Sequence, residues 1–251
     1  MILKAWAMIL LFVGNPCIGF SQIIKVDKDW AESDSEAWQG VIDLNVDNIK
    51  NTQTIFQLAG DAQVAYNWRK NLLLSMSSLR LMFADNVPLE NAGYQHFRYV
   101  RMIDSTFSVE AFTQIQFDQL LKIRLRSVTG GGPKVSLVNR EWGKLDLRPG
   151  YMYEYEEEDS TGVVNRHHRL SNYVTLKIGK AKKIKFYVTL FYQPRIDRFS
   201  DYRLSPAFAL ELKVLKHLVV NMAGDVRYDS SPVVGVSNFT YTLKQGFGFR
   251  F

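Results

Sequence analysis

Side-chain character alternates with a period of two along nearly the whole chain, and few folds accommodate that. In the last segment Phe239, Tyr241, Leu243, Phe247, Phe249 and Phe251 hold odd positions, with polar Gln245 among them. The even positions are Thr240, Thr242, Lys244, Gly246, Gly248 and Arg250. Successive side chains of a strand point to opposite faces, so this segment predicts a strand with one aromatic face and one polar or small face. The same pattern runs backward through the chain. Phe208, Leu210 and Leu212 alternate with Ala209, Glu211 and Lys213, and Phe107, Val109 and Ile115 oppose Glu110, Gln114 and Gln116.

Two architectures produce such alternation. A soluble sandwich or barrel buries the apolar face, whereas a transmembrane barrel turns it to lipid and keeps the polar face inside. Three features favour the second. The strands run to ten or more residues, where a membrane strand needs roughly 9–11 and an ordinary strand averages about 5–6. Aromatics gather near strand ends, at Tyr151, Tyr153, Tyr155, Tyr192 and Tyr228, as interfacial girdles require. The chain also closes on an aromatic at the end of an alternating strand. The expected fold is therefore all-β, an antiparallel transmembrane β-barrel of about 12 strands. Their centres fall near residues 42, 59, 77, 97, 111, 124, 150, 172, 188, 209, 223 and 245. An even count returns both ends of the barrel to one side. Short links at 179–183 and 215–217 and longer ones at 157–168, 196–203 and 229–237 fit that parity. The 71–85 segment alternates poorly and reads as either strand or helix.

The expected domains are a cleaved signal peptide at 1–22, a periplasmic lead at 23–36 and the barrel at 37–251. Lys4 precedes an apolar run from Ala5 to about Val13, followed by Gly19, Ser21 and Gln22, the three-part pattern of a secretory leader. The run is short for a membrane span, and a retained anchor is the alternative. The chain's one cysteine, Cys17, follows Pro16 rather than a small residue, which argues against a lipid-modified cysteine. Removal of the leader would leave no thiol for disulfides, thiolate metal sites or cysteine nucleophiles. The charge of +6, from 31 Lys and Arg against 25 Asp and Glu, is spread along the chain and forms no nucleic-acid stripe.

Several pieces together resemble the family called domain of unknown function 481, which includes proteins described as salt-induced outer membrane proteins. They are FSVEAFTQIQFDQLLKIRLRSVTGGG at 107–132, GYMYEYEEED at 150–159 and DVRYDSSPVVGVSNFTYTLKQGFGFRF at 225–251. Trp38 and Gly40 fit an opening Trp-x-Gly strand, while the Gly-Asn-Thr turn expected next survives only as Asn48 to Thr52, without its glycine. The resemblance implies a barrel in the bacterial outer membrane, of unestablished activity, and carries over no functional residue.

The polar face is the candidate functional surface. Glu110, Arg124, Arg126, Arg148, Lys177, Lys185, Glu211, Lys213, Asp225, Arg227 and Lys244 are expected to face the lumen, with Asp118, Asp146 and Glu154 on the same side. A Lys or Arg on the lipid face costs about 2–4 kcal/mol at midplane. Inside, such groups can pair across strands and fill the lumen, or line a narrow passage whose cationic surplus favours anions. Other motifs are weaker. The acidic tract Glu154 to Asp159 suggests a cation site, but without regular ligand spacing it reads as a solvated outer loop. His167 and His168 lack further zinc ligands. Gly130–Gly132 lacks the Lys-Ser/Thr ending of a phosphate loop and reads as a place where a strand bends. Neither a metal nor a cofactor is expected.

The expected function is a structural barrel or narrow channel with a largely filled lumen. The alternatives are an outer-membrane hydrolase of lipid or peptide with an outer-loop histidine site, its candidates His96, His167, His168 and His217 with Asp229, Ser230 and Ser231, and a scaffold subunit of an envelope complex. The expected partners are outer-membrane lipid and the barrel-assembly machinery, not nucleic acid. The oligomeric state is not legible. Phe247, Phe249 and Phe251 form the expected assembly signal. A chain ending at Gly246 should therefore be lost from the membrane fraction and degraded in the periplasm; immunoblots showing normal membrane levels would contradict this.

Overall fold

The structure, a computed structural model, describes residues 36–180, 183–215 and 218–249. The expected leader, all but the last residue of the lead, His217 and Phe251 lie outside the described residues. Among the described residues fourteen antiparallel strands form one sheet. They are β1 (Ala37–Lys50), β2 (Thr54–Trp68), β3 (Asn71–Ala84), β4 (Val87–Met102), β5 (Phe107–Asp118), β6 (Ile123–Arg140) and β7 (Gly143–Arg148). After these come β8 (Tyr151–Glu158), β9 (Val164–Leu170), β10 (Asn172–Lys180), β11 (Ile184–Pro194), β12 (Tyr202–Lys213), β13 (Leu218–Asp229) and β14 (Phe239–Phe249). Neighbours follow chain order, except that β7 pairs with β10 and β8 with β6 as well as β9.

The fourteen strands make twelve spans, because β7 and β8 continue one another, as do β9 and β10. Prolines cause the break. Gly131 pairs with Tyr151 and Val135 with Leu147, a register that sets Pro133 opposite Pro149. Neither has an N–H to donate, so the ladder between β6 and its neighbour lapses there. The partner span adjusts at the same level, where Ser171 N donates to Gly150 O at 2.8 Å. The three glycines beside this break are packed against backbone. A Cβ at Gly130, Gly131 or Gly132 would lie 2.4, 2.4 and 2.2 Å from the carbonyl oxygens of Tyr151, Glu110 and Pro149. Close approach of three spans explains the run.

The sheet curls until distant strands meet across its concave side. Arg98 on β4 donates to Tyr173 on β10 at 2.7 Å. Lys122, after β5, donates to the carbonyl of Val234, before β14, at 2.8 Å. Among the described residues no ladder joins β1 to β14. Burial is inverted relative to a soluble sandwich: buried polar and charged residues outnumber buried hydrophobic ones about two to one among the described residues. Ile42, Leu44, Phe97, Ile115, Leu243 and Phe247 stand exposed on the convex face. The 71–85 segment is a strand, and its weak alternation has a packing cause. Its inward residues Leu72, Leu74 and Met76 join Ala65 in a small apolar cluster with Tyr94 and Val100, so both faces of β3 are apolar.

Call the end where β1 begins the near end, and the opposite one the far end. Outward aromatics form a row at each. Trp38, Tyr66, Trp68 and Tyr99 follow one another at the near end, with centroids 4.6, 5.2 and 6.2 Å apart. Tyr192, Tyr202 and Tyr228 do so at the far end, 5.8 and 5.7 Å apart. Turns are tight at the near end. At 103–106 the Asp104 carboxylate accepts from the N–H groups of Thr106 and Phe107 at 2.7 and 2.8 Å, which holds its pKa below the usual carboxylate range. That support is complete at neutral pH and fades as acid protonates the group. Links at the far end include the longest ones, 195–201 and 230–238.

The glycine cluster supplies a stability test. Gly131→Ala should lower unfolding stability in detergent by about 1–3 kcal/mol, because only backbone can give way. Gly246→Ala, with nothing within 4 Å of the new Cβ, should stay within about 0.5 kcal/mol. Urea titration followed by tryptophan fluorescence reads both.

Candidate functional site

The inward faces of the spans build two layers of ionised side chains. In the layer toward the far end, Glu154 on β8 has no exposed surface (0%). Arg126 Nε reaches it at 2.5 Å from β6 and Arg169 Nε at 2.6 Å from β9, while Arg203 reaches it from β12. Arg203 also holds Glu156 at 3.0 Å and Asp229 at 2.7 Å. Arg169 extends the network to Asp201 at 2.9 Å, which Arg195 holds at 3.1 Å. A carboxylate so enclosed is tolerable only because three guanidiniums surround it.

The second layer lies toward the near end and centres on Tyr173. Its hydroxyl donates to Glu110 Oε1 at 2.6 Å and accepts from Arg98 and Arg148 Nη1 at 2.7 and 2.8 Å. Both guanidiniums also lie over its ring, 5.7 and 5.0 Å from the centroid, where the π face attracts cations. Arg148 continues to Asp146 at 3.5 Å, and Asp146 holds Lys134 at 3.1 Å.

Chambers separate the layers. A cavity of about 100 Å³ lies between them, with Arg98 at one end and Arg203 and Arg227 at the other. A second, of about 200 Å³, lies on the near side and shares Arg98 as a wall. A third, of about 430 Å³, lies on the far side beneath the 230–238 link and shares Arg227. An arginine thus stands at every junction between chambers.

Of the residues expected inside, Glu110, Arg126, Arg148, Asp225 and Arg227 stand on the concave face within these layers or beside them. Lys177 lies there too, 5.6 Å from the centroid of the Tyr187 ring, and Lys244 is half-buried opposite Ala223. Lys185 and Glu211 pair at 3.0 Å near the near-end mouth, well exposed, and Lys213 is exposed at the end of β12. Arg124 is outside: its side chain is 63% exposed and pairs with Glu157 at the far rim. The cause is a bulge, since Ile123 faces Glu158 and Leu125 faces Glu157, leaving Arg124 as an extra residue. Phe247 points outward at 75% exposure, and the Phe249 backbone pairs with Leu218.

The acidic tract is likewise not a solvated loop at its start, because alternation on β8 buries Glu154, expected on the inner side, and Glu156 on the concave face. Of the described histidines, His96 shares the 100 Å³ chamber with Ser171 and Ser205 rather than with Ser230 or Ser231. His96 Nδ1 lies 3.1 Å from Gln114 Oε1, and His168 Nδ1 lies 2.6 Å from the Tyr151 hydroxyl. Ser230 Oγ instead bonds Tyr202 N and Ser200 O. Among the described residues no cluster of three or more His, Cys, Asp or Glu could hold a metal. Arg98, Arg203 and Tyr173 were not singled out by sequence, although each sits on the polar side of its strand's alternation.

The family model described as "Protein of unknown function, DUF481" matches residues 31–251. The chain belongs to the DUF481 family. No curated protein matches it. Among solved structures, this DUF481 chain is similar to the NanC porin, at 14% identity and TM-score 0.45 over 83% of this chain and 100% of that one. It is also similar to the translocator domain of the autotransporter NalP from Neisseria meningitidis, at 10% identity and TM-score 0.31 over 85% and 82%. At scores and identities this low neither likeness bears on activity.

Cutting the central carboxylate tests the layers. Glu154→Ala leaves Arg126, Arg169 and Arg203 crowded without it and should destabilise the fold by about 3–5 kcal/mol. Lys185→Ala, at an exposed pair, should cost less than about 1 kcal/mol. Urea midpoints of refolded protein in micelles measure the contrast.

Proposed function

We propose that this DUF481 protein is an outer-membrane β-barrel whose lumen is a narrow, largely filled and anion-favouring passage. The observation that carries the reading is the inverted burial: ionised layers on the concave face, aliphatic and aromatic side chains on the convex one. In water that arrangement exposes apolar surface at every strand, whereas in a bilayer it places each face in its matching medium. The two outward aromatic rows support it, since they stand at opposite ends of the spans as girdles at two interfaces would. The cationic junctions between chambers favour anions, because a cation moving through would meet Arg227, Arg203 and Arg98 in turn. On this reading Phe247, Phe249 and Phe251 serve barrel assembly, and outer-membrane lipid surrounds the convex face.

Cell fractionation and heat-modifiable gel migration test the location; a freely soluble mature protein would overturn it. Planar-bilayer recording tests the passage. Wild-type conductance should be small and anion-selective, and Tyr173→Ala, which removes the centre of the near-end layer, should raise it several-fold. Large cation-selective wild-type currents would refute the filled, cationic lumen.

A further inference from the structure

We infer that the chamber between the two charged layers is a binding site for a small carboxylate with a short hydrocarbon tail. The inference rests on the passage reading, and it names the solute that the passage would hold. Four guanidinium groups, those of Arg98, Arg126, Arg203 and Arg227, line this chamber, and among the described residues no carboxylate lines it. The carboxylates that balance them lie to the sides, in the layers themselves. Arg227 is held only loosely by its carboxylate neighbour. Its ion contact with Asp229 is 3.7 Å long, to the oxygen that Arg203 already holds at 2.7 Å. Guanidiniums turned toward one confined space repel one another, and an anion placed among them relieves that repulsion while gaining charge-assisted hydrogen bonds.

The rest of the wall discriminates among anions. Phe112, Val128 and Met152, on the adjacent spans formed by β5, β6 and β8, present an apolar surface to the same space. Phe191 extends it, stacked on Tyr173 with ring centroids 4.7 Å apart. An inorganic anion would leave that surface against water, whereas a short alkyl chain would cover it. About 100 Å³ is room for a few water molecules, which suits an acid the size of butyrate. The guest is thus amphipathic, its carboxylate toward the arginines and its tail toward Phe112 and Met152.

Calorimetric titration of the refolded full-length mature chain in detergent, with sodium butyrate, tests this. Butyrate should bind saturably at one site, while 1-butanol and butylammonium should not. Arg227→Gln should weaken binding at least about tenfold. Ser205→Phe, which fills the chamber from β12 without removing a charge, should abolish it, and heat-modifiable migration shows whether each variant has folded. Sulfate binding as tightly as butyrate would overturn the proposal by leaving the apolar wall without a role. Absence of saturable binding to wild type would overturn it outright. Bilayer recording on the same preparations separates the two readings. Anion-selective conductance without butyrate saturation removes the site and leaves the passage; saturation without conductance leaves the site and removes the passage.

Discussion

A charge taken out of water must find an opposite charge or stay expensive, and that constraint organises the concave face of this protein. Glu154 is enclosed completely, with guanidiniums from β6, β9 and β12 around it. Each arginine then has to satisfy its remaining donors, which carries the network on to Glu156, Asp201 and Asp229. The result ties together spans that share no ladder. In a sheet with little apolar interior, such bonds across the concave face take the place that a packed hydrocarbon core holds in a soluble domain.

The second organising element is the break at Pro133 and Pro149. Two residues without N–H groups face each other across a ladder, so the spans are free to bend there, and three glycines let the backbones close up. Tyr173 is positioned two residues beyond the matching break in the next span, after Ser171 and Asn172. Its hydroxyl reaches Glu110, Arg98 and Arg148 from that bend. A local defect in hydrogen bonding thus lies beside the layer that divides two chambers.

Alternation made the spans legible because a strand's two faces are a property of neighbouring residues. The expected strand centres fall inside the observed spans throughout, including the 71–85 segment, whose ambiguity came from an inner face lined by Leu72, Leu74 and Met76. The same rule failed at Arg124, since one extra residue in a bulge reverses the parity of everything counted through it. At Glu154 two readings competed, alternation putting it on the inner side and the acidic run reading as solvated loop, and the strand buries it with Glu156 on the concave face.

What the sequence by itself determined is the all-β class, the number of spans and the face that most side chains occupy, because these depend only on local periodicity. Which charges meet was decided by tertiary structure. Arg98 finds Tyr173 across 75 residues and Arg203 finds Glu154 across 49. Those separations are set by how far the sheet curls and how its spans are staggered, and no pattern along the chain encodes either. The chambers and the arginines at their junctions follow from that curvature, which is why a candidate site emerged only once the strands were placed in space.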